Sequence, residues 1–144
     1  MLVQQILKSK ATEGVFTIKP GTSVADAASV LSNNRIGSVV ISATGDSAEG
    51  ILSERDIVRE LGKRGAGCMA DKVDDMMTQN LVTCGLGDKA DDILKKMTSG
   101  RFRHMPVIEA GKMVGLITLG DVVKSRLTEL SMEKKALEGM IMGH

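Results

Sequence analysis

The chain has 144 residues, 42% hydrophobic and 26% charged, a composition typical of a folded globular protein and not of a disordered or fibrous one. A net charge of +1, with two Phe and no Trp or Tyr, argues against nucleic acid as a partner. No apolar run approaches the roughly 20 residues that span a bilayer, and the first residues lack a secretory signal. We therefore expect a cytoplasmic protein with no membrane partner.

The first half of the chain predicts a strand, a helix, two strands and a helix. A β-branched segment at Val15–Ile18 predicts the first strand, and Thr22 is a good N-cap for a helix whose apolar residues recur at helical spacing over 24–31. Two further strands, at 38–42 and 50–53, are joined by a polar turn that contains glycine. A second helix follows.

The second half predicts the same order of elements. A short strand at 81–83 precedes a helix with Asp88 as its N-cap and apolar residues at helical spacing over 90–97. Strands at 104–109 and 113–118 form a second hairpin, and a helix follows them.

Two segments lie outside this pattern. Residues 61–78 are rich in Gly and polar residues and read as a linker with a short helix. Near the C-terminus, Leu127, Leu130, Leu137 and Ile141 have coiled-coil-like spacing, with Lys134 interrupting. This stripe is either a dimer seam or a face packed on the body, and we favour packing on the body.

The two halves are copies of one unit. GILSERDIV (50–58) aligns with GLITLGDVV (115–123), which places Asp121 65 residues after Asp56. Upstream, Thr83 follows Thr17 by 66 residues, and the one-residue difference falls in a hairpin loop. The sequence thus predicts a mixed α/β (α+β) fold of two βαββα repeats. The first, with its lead-in, spans 1–66, the second spans 67–128, and a helical tail spans 129–144.

Each repeat places a hydroxyl residue three positions before an aspartate, where a strand gives way to a helix. The pairs are Ser53 with Asp56 and Thr118 with Asp121. One interpretation is a capping box, in which the hydroxyl and the carboxylate accept backbone hydrogen bonds. The other is a ligand site, because free N–H groups at a helix start attract phosphate and a carboxylate can accept two hydrogen bonds from a ribose diol. Both interpretations stay open on these residues alone.

The duplicated G-h-h-[ST]-x-x-D turn, the VDDMMT lead-in and the RHMPVIEAGKMVGLIT hairpin resemble a tandem pair of cystathionine β-synthase (CBS) domains, also called a Bateman module. The resemblance covers nearly the whole chain. It implies two repeats related by a pseudo-twofold axis, a homodimer, and clefts between the repeats that bind AMP, ATP or NAD and signal to an effector protein. It also implies that Asp56 and Asp121 hold ribose hydroxyls and that Ser53 and Thr118 contact ribose or phosphate.

The same resemblance implies further contacts with the ligand. Arg103, His104 and Arg55 are candidates for the phosphates, since an Arg can fork onto phosphate oxygens and a His can donate a hydrogen bond to them. The candidates for the adenine pocket are the side chains of Ile18, Val39, Met105 and Pro106 and the main chain around Thr17 and Thr83. Because Gly37 and Ser38 stand where the second repeat has Arg103 and His104, we expect the two clefts to differ.

No set of residues predicts catalysis or a resident metal. Cys68 and Cys84 have no metal-ligand spacing and are expected to be small buried or half-buried thiols. The leading hypothesis is therefore a regulatory sensor that is not an enzyme. Two alternatives are a structural dimerisation adaptor whose turns are only capping boxes, and an enzyme acting on nucleotides.

Overall fold

A computed structural model describes residues 1–10 and 14–142. In chain order its elements are α1 (Val3–Ser9), β1 (Thr17–Ile18), α2 (Val24–Asn34), β2 (Ser38–Ile41), β3 (Gly50–Ser53), α3 (Glu54–Arg64), a 3₁₀ helix (Ala66–Ala70), α4 (Val73–Met76), α5 (Ala90–Gly100), β4 (His104–Glu109), β5 (Lys112–Thr118) and α6 (Leu119–Met142). The mixed α/β class with a duplicated unit is confirmed.

The two repeats build similar but unequal sheets. In the first, β2 pairs in parallel with β1, with Thr17 opposite Val40, and antiparallel with β3. In the second, β4 and β5 form an antiparallel pair with a bulge between Val107 and Ile108. Each hairpin leads directly into a helix, so each repeat has a strand-to-helix turn at the same place.

The strand predicted at 81–83 is wrong, since the second sheet has two strands among the residues that the structure describes. A single parallel bridge joins Cys84 to Val107. In the first repeat, the N–H of Val40 donates to the carbonyl of Phe16 at 3.0 Å. The equivalent of Val40 is Pro106, which has no N–H to donate, and the ladder therefore loses this bond and shortens.

The predicted helix caps at Thr22 and Asp88 are each one residue too early. Ser23 is the N-cap of α2, and its hydroxyl accepts a hydrogen bond from the N–H of Asp26 at 3.1 Å. Lys89 occupies that position in α5 and makes no side-chain cap, while the Asp88 carboxylate accepts from the N–H of Gly85 at 2.9 Å. Turn residues that bond within the preceding loop resemble caps in a sequence.

The strands send alternate side chains to opposite faces, and this divides the core. Val39 and Leu52 are fully buried against the helices of the first repeat, whereas Val40 and Ile51 form a separate cluster with Met113 of the second repeat. A third cluster fills the second repeat. The two sheets thus meet through a shared apolar layer. Cys68 and Cys84 are buried free thiols, as predicted.

Helix α1 packs on the second repeat. Val3 and Ile6 are buried in its core cluster, the N–H of Val3 donates to the carbonyl of Asp88, and the N–H of Ala90 donates to the carbonyl of Met1, both at 2.9 Å. Although α1 lies within the predicted 1–66 unit by sequence, it joins the other repeat in space.

The C-terminal part of α6 extends away from the body. Over residues 130–141 every position but Gly139 is exposed, and Leu137 and Ile141 keep 59% and 85% of their accessible surface. The favoured interpretation of the Leu127–Ile141 stripe, packing on the body, is therefore wrong. The last two residues of the predicted 129–144 tail lie outside the described residues.

Candidate functional site

The two strand-to-helix turns have the geometry of capping boxes. At the first, the N–H of Ser53 donates to Asp56 Oδ2 at 3.0 Å and the N–H of Asp56 donates to Ser53 Oγ at 3.2 Å. At the second, the N–H of Thr118 donates to Asp121 Oδ2 at 2.9 Å and the N–H of Asp121 donates to Thr118 Oγ1 at 3.1 Å. The capping interpretation is confirmed, and each carboxylate retains lone pairs for a further partner.

A cleft of about 570 Å³ opens beside the first turn and reaches the second repeat. This volume is within the range of small-molecule sites. It is lined by Ile51, Ser53, Arg55, Asp56, Arg59, Thr78, Asn80, Leu81, Val82, Gly100, Arg101, Phe102, Arg103 and His104. The predicted residues Ser53, Arg55, Asp56, Arg103 and His104 are thus brought together from both repeats.

The charge of this cleft is strongly unbalanced. Four arginines, Arg55, Arg59, Arg101 and Arg103, line it, and Asp56 is the one carboxylate among the lining residues that the structure describes. Guanidinium groups match phosphate oxygens in geometry as well as charge. The cleft is therefore suited to an anionic ligand that also carries hydroxyl groups for the carboxylate.

Arg101 lies at the C-cap of α5 with φ of 55°, in the left-handed region. A residue other than Gly, Asn or Asp seldom adopts this conformation. Its equivalent in the first repeat, Arg35, has φ of 52°. A glycine would be less strained at this position, so Arg101 places its charged side chain in the cleft at a cost in backbone energy.

Asp56 is held by its own helix as well as by the cap. Arg59 Nη2 lies 2.9 Å from Asp56 Oδ1, one turn along α3. The Arg59 side chain is 52% exposed and Asp56 only 11%. Such a partly exposed pair contributes little to stability, so Arg59 is free to exchange the carboxylate for another anion at small cost.

His104 lies at the start of β4 with its side chain partly buried. Burial lowers the pKa of His104 below its usual value, while the charge of Asp56 acts in the opposite direction and that of Arg103 adds to the lowering. The imidazole is therefore neutral at physiological pH and can donate one hydrogen bond.

A second cleft, of about 550 Å³, adjoins the first. It shares Ser53, Arg55, Arg103 and His104 with the first cleft, and its other lining residues are Gly37, Glu54, Thr118, Leu119, Gly120, Val123, Lys124 and Leu127. Thr118, a predicted ligand residue, therefore faces a cleft. Asp121 lies at the turn but is not among the lining residues of either cleft.

Six predicted residues are placed elsewhere. Val39 and Met105 are fully buried in the two repeat cores, and Ile18 packs against the first of these. Pro106 lies in β4, Thr17 in β1, and Thr83 is exposed in the segment before α5. None of the six lines the two clefts. Val39 and Met105 do not reach the clefts because alternate side chains of a strand point to opposite faces of the sheet. The side chains of these two residues are on the face that packs against the helices.

Several lining residues were not predicted from the sequence. Arg59 and Arg101 carry charge, and Leu81, Val82 and Phe102 supply apolar surface of the kind that an adenine ring needs. One signal was available for Arg101, because Arg101 and Arg103 alternate in GRFRHMP immediately before the predicted strand. For Arg59 the signal was its i,i+3 spacing from Asp56 on a predicted helix.

Within residues 1–10 and 14–142, no cluster of three or more His, Cys, Asp or Glu side chains is placed to hold a metal ion. Over the same residues, none of the helices combines the length and apolar character that a membrane span requires.

Comparison with known proteins identifies the architecture. The CBS domain family model matches residues 3–63 and 73–128, which together are most of the chain. The mitochondrial CBS domain-containing protein CBSX3 of Arabidopsis thaliana is 32% identical over 141 residues, covering 94% of this chain and 68% of its own length.

Solved structures agree with this match. The CBS-domain protein ATU1752 of Agrobacterium tumefaciens superposes with a TM-score of 0.82 at 38% identity, covering 88% of this chain and 99% of that protein. The CBS domain pair of protein MJ0100, solved with 5′-methylthioadenosine and S-adenosyl-L-methionine, gives a TM-score of 0.74 at 25% identity, covering 89% and 99%. The CBS pair of MJ0100 therefore binds adenosyl ligands.

Proposed function

Because the chain belongs to the CBS domain family, we propose that it is a regulatory module that binds an adenine nucleotide in the cleft beside Asp56. The observation that carries this proposal is the set of four arginines around one carboxylate in a cleft formed by both repeats. A nucleotide joins both repeats there, and its binding favours one relative arrangement of them. An effector protein that recognises that arrangement then receives the signal.

Each part of a nucleotide has a counterpart in this cleft. The Asp56 carboxylate faces the ribose diol, with Ser53 beside it. Arg101 and Arg103 face the phosphate, and Arg55 and Arg59 add positive charge from the first repeat. The apolar side chains of the lining supply the surface for adenine. AMP, ATP and NAD share all three parts, and S-adenosylmethionine and methylthioadenosine share the adenosyl part.

The test of this proposal compares AMP with adenosine by isothermal titration calorimetry. We expect AMP to bind more tightly than adenosine, because only AMP engages the arginines. Arg103→Ala should weaken AMP by about 10- to 150-fold, the equivalent of losing a charged hydrogen bond of about 1.5–3 kcal/mol. The same substitution should leave adenosine binding unchanged.

A matched control is Lys112→Ala, which removes the same charge from the exposed first residue of β5. It should change neither affinity. Phosphate recognition by Arg103 would be contradicted if Arg103→Ala lowered the affinities for AMP and adenosine equally. It would also be contradicted if Lys112→Ala lowered the affinity for AMP as much as Arg103→Ala does. ATP, NAD, S-adenosylmethionine and methylthioadenosine, titrated in parallel, rank the ligand classes, and mass spectrometry of ligand retained after native purification identifies the one bound in the cell.

The pH dependence of binding should follow His104. In the free protein burial lowers its pKa, whereas a phosphate bound beside it favours the imidazolium and raises the pKa. Binding then takes up a proton, and affinity for AMP should increase as the pH falls through the interval between the two pKa values. Calorimetry at pH 7 in buffers of different ionisation enthalpy measures this proton uptake directly. His104→Gln, which keeps a hydrogen-bond donor, should abolish the uptake; persistence of the uptake in that variant would assign it to another group.

The α6 stripe supports the homodimer as the form of the protein that carries the signal. Its leucines are exposed where α6 projects from the body, and an unpacked helical segment as short as residues 130–141 is marginal in water. A second α6 packed along the stripe would bury these side chains. Dimerisation is therefore a second candidate function of the same chain. Ligand binding and dimerisation are tested by separate experiments.

A further inference from the structure

The second strand-to-helix turn differs from the first in what its carboxylate contacts. Lys10 Nζ lies 2.9 Å from Asp121 Oδ2 and donates to the carbonyl oxygen of Leu116 at 2.9 Å. The two side chains of this ion pair are 24% and 21% exposed. The ammonium group is thus bound to two oxygens of the second repeat at the position equivalent to the ribose-binding carboxylate of the first.

The position of Lys10 is set by helix α1. Val3 and Ile6 anchor this helix in the second core, and Leu7 lies directly over Gly115, where an added Cβ would come within 2.8 Å of the Leu7 methyl carbons. A side chain at 115 would force the Leu7 methyl groups to move, so the glycine permits this close approach. Lys10 follows Leu7 by three residues, and the packing of α1 on the second repeat places its side chain beside Asp121.

The partner of Asp56 has a different character. Arg59 belongs to the same helix as Asp56, is half exposed, and lines the first cleft itself. When a ribose takes the carboxylate, Arg59 can turn to the phosphate within the same cleft. Lys10 comes from a separate segment, lines neither cleft, and is less exposed. A ligand that displaced it would leave a partly buried ammonium without its carboxylate.

We propose that Lys10 is an internal occupant of the second turn, so that the chain binds nucleotide at Asp56 and not at Asp121. The ammonium of Lys10 takes the carboxylate that a second ribose would need. This inference rests on the proposed function, and it gives a physical cause for the inequality of the two turns. It makes Lys10 the residue that determines the stoichiometry of binding.

Calorimetric titration of the full chain with AMP tests this assignment. The unmodified protein should bind one AMP per chain, Asp56→Ala should remove that site, and Asp121→Ala should leave affinity and stoichiometry unchanged. Lys10→Met, which keeps the length of the side chain and removes its charge, should raise the stoichiometry to two. Lys10→Met combined with Asp56→Ala should then bind one AMP, through Asp121.

Lys8→Met is the matched control, because Lys8 lies on the exposed side of the same helix and forms no ion pair with the part of the chain that the structure describes. It should retain one site. Two sites in the unmodified protein, one of them lost in Asp121→Ala, would overturn the role of Lys10 and leave nucleotide binding intact. A folded Lys10→Met variant that still binds one AMP per chain would also overturn the role of Lys10 and leave nucleotide binding intact. If Lys10→Met does not fold, the Asp121→Ala result decides alone. No AMP binding in any variant would overturn the proposed function itself.

Discussion

Asp56→Ala is expected to weaken adenosine and AMP binding by at least about 10-fold, the equivalent of about 1.4 kcal/mol, while strengthening the binding of free pyrophosphate. The ribose loses a carboxylate that can accept two hydrogen bonds. The four arginines of the cleft lose the counter-charge of Asp56, and Arg59 loses its ion pair. Opposite effects on nucleoside and phosphate are the signature of a carboxylate that recognises sugar within a positively charged site.

The substitution also removes half of a capping box and should cost about 0.5–2 kcal/mol of stability. Ser23→Ala is the matched control for this cost. Ser23 caps α2 by accepting from the N–H of Asp26, and it does not line either described cleft. We expect similar losses of melting temperature in both variants and a loss of adenosine binding only in Asp56→Ala. If both variants bind adenosine like the unmodified protein, the Asp56 turn is a structural cap alone.

The part of the site that depends on local spacing could be predicted from the sequence. Ser53 and Asp56 are three residues apart at a strand-to-helix junction, and this spacing alone brings the hydroxyl and the carboxylate onto the first turn of α3. The duplication predicted that Thr118 and Asp121 would repeat the arrangement, and they do. Fold class followed from the same regularity.

Features that depend on strand phase or on distant contacts could not be predicted in this way. Val39 and Val40 are both apolar, and nothing in a run of buried residues tells which one faces the helices and which the other repeat. Pro106 was expected to line a pocket, but its larger effect is the lost N–H that shortens the second sheet. The approach of Lys10 to Asp121, 111 positions later in the chain, depends on where α1 docks.

We expect the exposed leucines of the α6 stripe to hold the dimer together. Leu130→Glu together with Leu137→Glu should convert a dimer to a monomer, measured by light scattering after size-exclusion chromatography. Burial of a leucine side chain contributes about 1.5–3 kcal/mol, so two lost from each chain should raise the dimer Kd by about 100-fold or more. Lys134 lies between them in the stripe, 4.0 Å from Glu138 on the next turn, and this pair can exchange partners across the seam.

Thr128→Glu with Ala136→Glu adds the same charge to exposed positions of α6 away from the stripe and should leave the dimer intact. Both double variants should bind AMP like the unmodified protein, because none of the four positions lines the cleft beside Asp56. A dimer that survives in both variants would assign dimerisation to another face. A monomer that no longer binds AMP would instead mean that the second chain completes the nucleotide site, so binding and assembly would be one equilibrium.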